Sequence, residues 1–217
     1  MNDRVRTSIL AATLLLAAMA LCSERALAIA PHHSDCLPKG VQTVAKDSVA
    51  RIFAVKARLT PSMGVRVNRI LYACLFRRGI AVRLPLGASN VALAGTIAAY
   101  SDTTGGIDYF STEVVELDLS SGRILFSLPA TTGVGTPEGL VFVKSLVITP
   151  LASVAWIGSK FSLFTHAPTI YEVRTASASG ATTMLDQGAS IVPSSLRLAR
   201  GNISWTSGNT VRSAPLR

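Results

Sequence analysis

The sequence predicts an all-β protein assembled from repeated four-stranded units, and three observations carry that prediction. After residue 28 no segment holds a helical apolar period between caps; short apolar stretches recur between turn residues instead. Past that point the chain is rich in Val, Ile, Leu, Thr and Ser and poor in Glu and Lys, which is strand chemistry rather than helix chemistry. Finally, Gly95-Thr96-Ile97-Ala98-Ala99-Tyr100, Ala152-Ser153-Val154-Ala155-Trp156-Ile157 and Gly201-Asn202-Ile203-Ser204-Trp205-Thr206 share one pattern. A small residue, a small polar one, a β-branched one and another small one lead to a position that is often aromatic. Ser48-Val49-Ala50-Arg51-Ile52 is a weaker fourth copy.

In chain order, residues 1–28 read as a secretory signal. Arg4 and Arg6 precede an apolar run over 9–21, and Ala26-Leu27-Ala28 supplies the small residues that signal peptidase accepts, so the mature chain begins at Ile29. Leu21 before Cys22 argues against lipidation, and Val5 between the two arginines against twin-arginine export. About 190 residues remain, the size of one domain. Residues 29–47 form an N-terminal segment, which the oxidising compartment ties to the first sheet through a Cys36–Cys74 disulfide. Residues 48–217 form the repeat domain.

Within that domain, strands over 70–76 and 80–83 join through Arg78-Gly79. The strict alternation Val115-Glu116-Leu117-Asp118-Leu119 turns through Ser120-Ser121-Gly122-Arg123 into Ile124-Leu125-Phe126. Residues 139–158 carry one charge, Lys144, but Pro150 in the middle and the β-branched content predict two strands, 141–148 and 154–157, rather than a membrane helix. Residues 170–174 pair with 182–185 across Ser179-Gly180, and 196–198 pair with 203–205 across Arg200-Gly201-Asn202.

The repeated pattern recurs with a period near 50 residues, as successive four-stranded propeller blades would. The fold expected is therefore a propeller-like array of about four small units, the last incomplete, with a two-sheet β-sandwich as the alternative. Val154-Ala155-Trp156-Ile157 followed by Tyr171-Glu172-Val173-Arg174, and Glu116-Leu117-Asp118-Leu119 with Ser121-Gly122-Arg123, resemble the WD40-like and quinoprotein-like blades of bacterial secreted β-propeller proteins. The resemblance spans roughly residues 41–216. The chain is too short for six or seven blades and lacks a Trp-Asp blade ending. Propellers host both enzymes and binding platforms, so the resemblance implies a fold and leaves activity open.

Charge is segregated within a formal net charge of +9. Residues 39–83 hold ten basic side chains against Asp47 alone, whereas residues 84–196 hold four basic against eight acidic. For an exported protein the anionic neighbours are envelope polymers, membrane surfaces and other exported proteins, and compartment demotes nucleic acid. Arg77, Arg78 and Arg83 are the candidate anion-binding residues.

Catalytic and metal chemistry find little support. His32 and His33 with Asp35 and Cys36 form the densest ligand cluster, but Pro31 breaks an amino-terminal copper chelate. There is no HExxH, no clustered cysteine set, no Gly-x-Ser-x-Gly, and His166 stands alone in the body of the domain. Gly133-Val134-Gly135-Thr136-Pro137-Glu138-Gly139 has the wrong spacing for a dinucleotide loop and leads into a strand. Glu116 and Asp118 share one strand face and are expected to face solvent or arginines. Asp102 and Asp108 flank a turn that has the composition to hold a cation. No cofactor, no catalytic residue and no membrane segment beyond the signal are expected. The function expected is a non-enzymatic binding module; the competing class is an extracellular hydrolase using Asp102, Asp108 and Glu138.

Overall fold

The computed structural model describes residues 36–56, 69–105, 110–132, 139–162 and 167–217. The signal segment, His32, His33, Asp35, Asp108, Glu138 and His166 lie outside them. All described structure is β, and no helix among these residues is long and apolar enough to cross a membrane. The apolar stretch beginning at Gly139 forms two antiparallel strands, as its proline and β-branched content predict.

Among the described residues fifteen strands run as four consecutive antiparallel meanders. The first holds β1 (Gln42–Lys46), β2 (Ala50–Lys56), β3 (Arg69–Leu75) and β4 (Ile80–Arg83). The second holds β5 (Ala88–Ala94), β6 (Ile97–Gly105), β7 (Phe110–Asp118) and β8 (Arg123–Pro129). The third holds β9 (Gly139–Ile148), β10 (Val154–Ser162), β11 (Ile170–Ala176) and β12 (Thr182–Gly188), and the fourth β13 (Arg197–Ala199), β14 (Asn202–Ser207) and β15 (Thr210–Pro215). Among the described residues one parallel bridge, Phe110 to Leu140, joins the second and third into one eight-stranded sheet. Gln42–Lys46, which the sequence groups with the N-terminal segment, is thus the first strand of the first sheet.

The four copies of the sequence pattern fall on β2, β6, β10 and β14, the second strand of every meander. Because side chains alternate across a strand, β6 and β10 each feed two of the layers between sheets. Ala98 and Tyr100 pack toward the first sheet with Ile52, Leu71 and Ala73, while Ala99 of the same strand packs toward the third sheet with Val154 and Trp156. Ala155 and Ile157 then pack toward the fourth sheet with Ile203 and Trp205. Three apolar layers therefore separate four meanders, where a two-sheet sandwich has one.

Each layer is filled by one aromatic from the second strand of the downstream unit: Tyr100, Trp156 and Trp205, all buried. Burying such a side chain is worth about 2–3 kcal/mol. Phe53 of β2 occupies the corresponding upstream face of the first sheet, stacked on Tyr72 with ring centroids 5.6 Å apart. No sheet precedes it in the chain's described part; Cys36 packs there, disulfide-bonded to Cys74 of β3 with Cα atoms 5.4 Å apart. The tethered segment thus helps cover a face that later units cover with a neighbouring sheet.

The first strands stack in turn: β1 packs on β5, β5 on β9 and β9 on β13. Polar ties reinforce each junction. Asp47 accepts from the Gly95 amide at 2.6 Å, Asn90 Nδ2 donates to the Val143 carbonyl at 2.9 Å, and Ser145 donates to the Pro193 carbonyl at 2.9 Å. Among the described residues no apolar cluster joins the fourth sheet to the first.

Candidate anion-binding site

At one end of the first sheet, the start of β1, the end of β2 and the start of β3 meet around an open pocket of about 480 Å³. Its walls are Lys39, Gly40, Val41, Gln42, Ala54, Val55, Lys56 and Arg69. No carboxylate is among them.

The antiparallel register of β2 and β3 sets Lys56 directly opposite Arg69. Ala54 and Leu71, two residues inward on each strand, belong to the layer shared with the second sheet. The two cations therefore project from the rim of that layer, with Cβ atoms roughly 5 Å apart. Both are exposed. Among the described residues the ion pairs are Arg174–Glu172 at 3.5 Å and Arg212–Asp186 at 2.7 Å, both far along the chain. The one acid of the basic third, Asp47, spends its oxygens on the amides of Val49, Ala50 and Gly95. Burial opposes its ionisation, but those three N–H groups prevail and hold it below the usual carboxylate range.

Lys39 arrives from a separate segment whose position is set by two anchors. The disulfide fixes Cys36 on β3, and the largely buried Arg51 donates through Nε to Thr43 Oγ1 at 2.9 Å and through a terminal nitrogen to the Cys36 carbonyl at 3.4 Å. The Arg51 guanidinium also lies 5.5 Å from the centre of the Phe53 ring. Gly40, at φ +75°, then turns the chain into β1 in a conformation that a side chain would strain.

The sequence-predicted trio is placed differently. Arg77 and Arg78 are exposed in the turn between β3 and β4, at the opposite end of β3 from Arg69 and roughly 20 Å away by strand rise. Arg83 ends β4, half-buried and across from Tyr72. The three do not converge on the pocket, and Lys39, Lys56 and Arg69 were hidden from sequence reading because only the β2–β3 register brings the last two together.

The carboxylates distribute elsewhere. Asp102 stands directly across from Glu113, and burial followed by the Glu113 charge raises its pKa. Ser127 donates to Glu113. Asp118 is a turn acceptor for the Ser120 amide and the hydroxyls of Ser120 and Ser121, at 2.6–2.8 Å. Glu116 corrects its expected solvent-facing role. It is fully buried beside Ala99 and Val114 between the second and third sheets, and neither carboxylate oxygen has a hydrogen-bond partner. Burial pushes its pKa up to about 7. The strand is covered on both faces, so alternation there separates two layers rather than core from water. Among the described residues no group of three or more His, Cys, Asp or Glu is arranged to hold a metal.

Comparison with known proteins finds no matching family model and no matching curated protein.

Proposed function

We propose that this chain is an exported, non-enzymatic binding module whose repeats form a propeller-like array and whose first unit attaches to an anionic component of the cell envelope. The observation that carries the reading is the uncompensated charge of that unit: Lys39, Lys56 and Arg69 around a pocket without an acid, and Arg77 and Arg78 exposed at the other end of the same sheet. Four meanders stacked through their first strands, with one aromatic of each second strand in each layer, support the propeller-like arrangement. The disulfide supports an extracytoplasmic site of action.

The test is sedimentation of the oxidised protein with vesicles of phosphatidylglycerol in phosphatidylcholine, and with anionic wall polymer, at rising salt. Binding that weakens steeply between low and physiological ionic strength is expected. Salt-independent binding, or none to either target, removes the electrostatic function. Fractionation finding the intact precursor in the cytosol removes export.

A further inference from the structure

We propose that the pocket at the rim of the first sheet binds a phosphate ester of a small polyol or sugar, held between Lys56 and Arg69 with Lys39 as third cation. This names a ligand class for the first unit and rests on the binding function above.

The strand pairing itself calls for an anion. Like charges directly opposite on neighbouring strands disfavour the pairing of those strands, and such a pair is compensated by an anion placed between them. Lys56 and Arg69 stand in that relationship, and neither makes an ion pair among the described residues. Lys39 adds a third positive charge from a segment held by the disulfide and Arg51.

Three cations favour a phosphate ester over a carboxylate. A carboxylate has two oxygens, and the planar fork of Arg69 alone satisfies both, which would leave Lys39 and Lys56 uncompensated. A phosphate ester offers further oxygens in a tetrahedral array, so the guanidinium fork and two ammonium point charges each find an acceptor.

Size and lining suit a small polyol on that phosphate. A pocket of about 480 Å³ falls in the range of small-molecule sites and exceeds what one bare anion fills. Val41, Ala54 and Val55 offer apolar wall to the carbon chain of a polyol, and the Gln42 amide can both donate to and accept from its hydroxyls. Soluble or polymer-borne polyol phosphates and lipid headgroups share this chemistry.

The experiment is calorimetric titration of the oxidised protein with glycerol 1-phosphate, inorganic phosphate and glucuronate, beside vesicle sedimentation with phosphatidylglycerol. Glycerol 1-phosphate is expected to bind at one saturable site, more tightly than the other two. Lys56→Gln and Arg69→Gln should each weaken it at least tenfold, and the double change Arg77→Gln with Arg78→Gln by less than twofold. Both pocket variants relieve a like-charge pair, so they should melt no lower than the parent, and glycerol 1-phosphate should raise the Tm of the parent only.

Vesicle binding lost with the pocket variants supports a lipid headgroup as the source; absent vesicle binding with intact glycerol phosphate binding supports a soluble or polymeric one. Glucuronate binding as tightly as glycerol phosphate, no saturable site, or equal losses from the Arg77 and Arg78 changes each overturn the pocket. If salt-sensitive vesicle binding persists in those cases, the general envelope-binding function stands and only the pocket falls. If it is absent too, both fall.

Discussion

Trp156 donates its indole N–H to the backbone carbonyl of Ala130 at 2.7 Å, reaching from the third sheet to the segment that leaves β8. The same carbonyl lies against Gly158, two residues along β10 on the same face. Glu172, directly across from Gly158 on β11, accepts from the amide and hydroxyl of Thr132 at 2.8 and 2.7 Å. Residues from two strands of one sheet therefore clamp the end of the preceding unit. The joint between units is polar at this point as well as apolar in its layer.

Gly158→Ala tests the clamp, because a Cβ there would stand 2.3 Å from the Ala130 carbonyl oxygen and 2.8 Å from Thr131 Cγ2. Backbone has to move to admit it, and the expected loss is about 2–3 kcal/mol. Trp156→Phe keeps most of the apolar contact but leaves the carbonyl unpaired, at a cost of about 1–3 kcal/mol. The two share a partner, so the double variant should lose less than the sum. Urea denaturation of the three variants checks this.

Glu116 makes the same joint sensitive to pH. Its neutral form is favoured by burial, with a pKa near 7 in the folded chain against an ordinary value of 4.5. Arg174, over the Trp156 ring with its Nε unpartnered, and Glu172 belong to the same layer, yet neither bonds Glu116. Between pH 4.5 and 7 the unfolded chain releases this proton while the folded one keeps it, so stability falls as pH rises through that window and levels off above it. Glu116→Met should abolish the fall and stabilise the protein by about 3 kcal/mol at pH 8. Equal pH profiles for parent and variant in thermal melts would contradict the assignment.

Much of this arrangement was legible from residue types. Phe126, Trp156 and Trp205 lie in the short apolar stretches that announced strands, and Ser120-Ser121-Gly122 and Ser179-Gly180 are turn sequences whose glycines take φ +72° and +81°. The recurring pattern over 95–100, 152–157 and 201–206 marked the second strand of the last three units, with its aromatic one place later in the first of these copies (Tyr100) than in the other two (Trp156 and Trp205). What could not be read is what depends on register or on the covering of both faces. Gln42–Lys46 has one side chain that is more than slightly buried and no apolar run, so nothing announced a strand. Glu116 sits where alternation implied water, because the pattern of one strand carries no information about a second sheet laid on its polar side. Lys56 and Arg69 are thirteen positions apart and become neighbours only through the β2–β3 pairing.

Asp47 ties the first unit to the second by accepting from Gly95 while capping its own turn through Val49 and Ala50. Asp47→Ala removes three acceptor contacts to backbone amides, and with the group half-exposed the expected loss is about 1–2 kcal/mol at pH 7. The folded-state pKa lies below 3.8, so the contribution is present above that value and disappears as pH falls through the folded pKa. The difference in stability between parent and variant should therefore shrink toward zero in strong acid, measured by urea titration across pH 2–7. A difference that stays constant would show that the charge plays no part.

The Cys36–Cys74 bond closes a loop of 38 residues, which in the chain-entropy treatment is worth about 4 kcal/mol. It also holds Cys36 over Phe53 and Tyr72, and it fixes the start of the segment that delivers Lys39 three residues later. Cys36→Ala with Cys74→Ala should thus lower the Tm and, at a temperature where the variant is still folded, weaken binding of glycerol 1-phosphate. The second effect should resemble that of Lys39→Gln, because both leave Lys56 and Arg69 in place and remove the third cation from its fixed position. A variant that melts lower yet binds as the parent does would separate the two roles, leaving the disulfide as a cover for the first sheet alone.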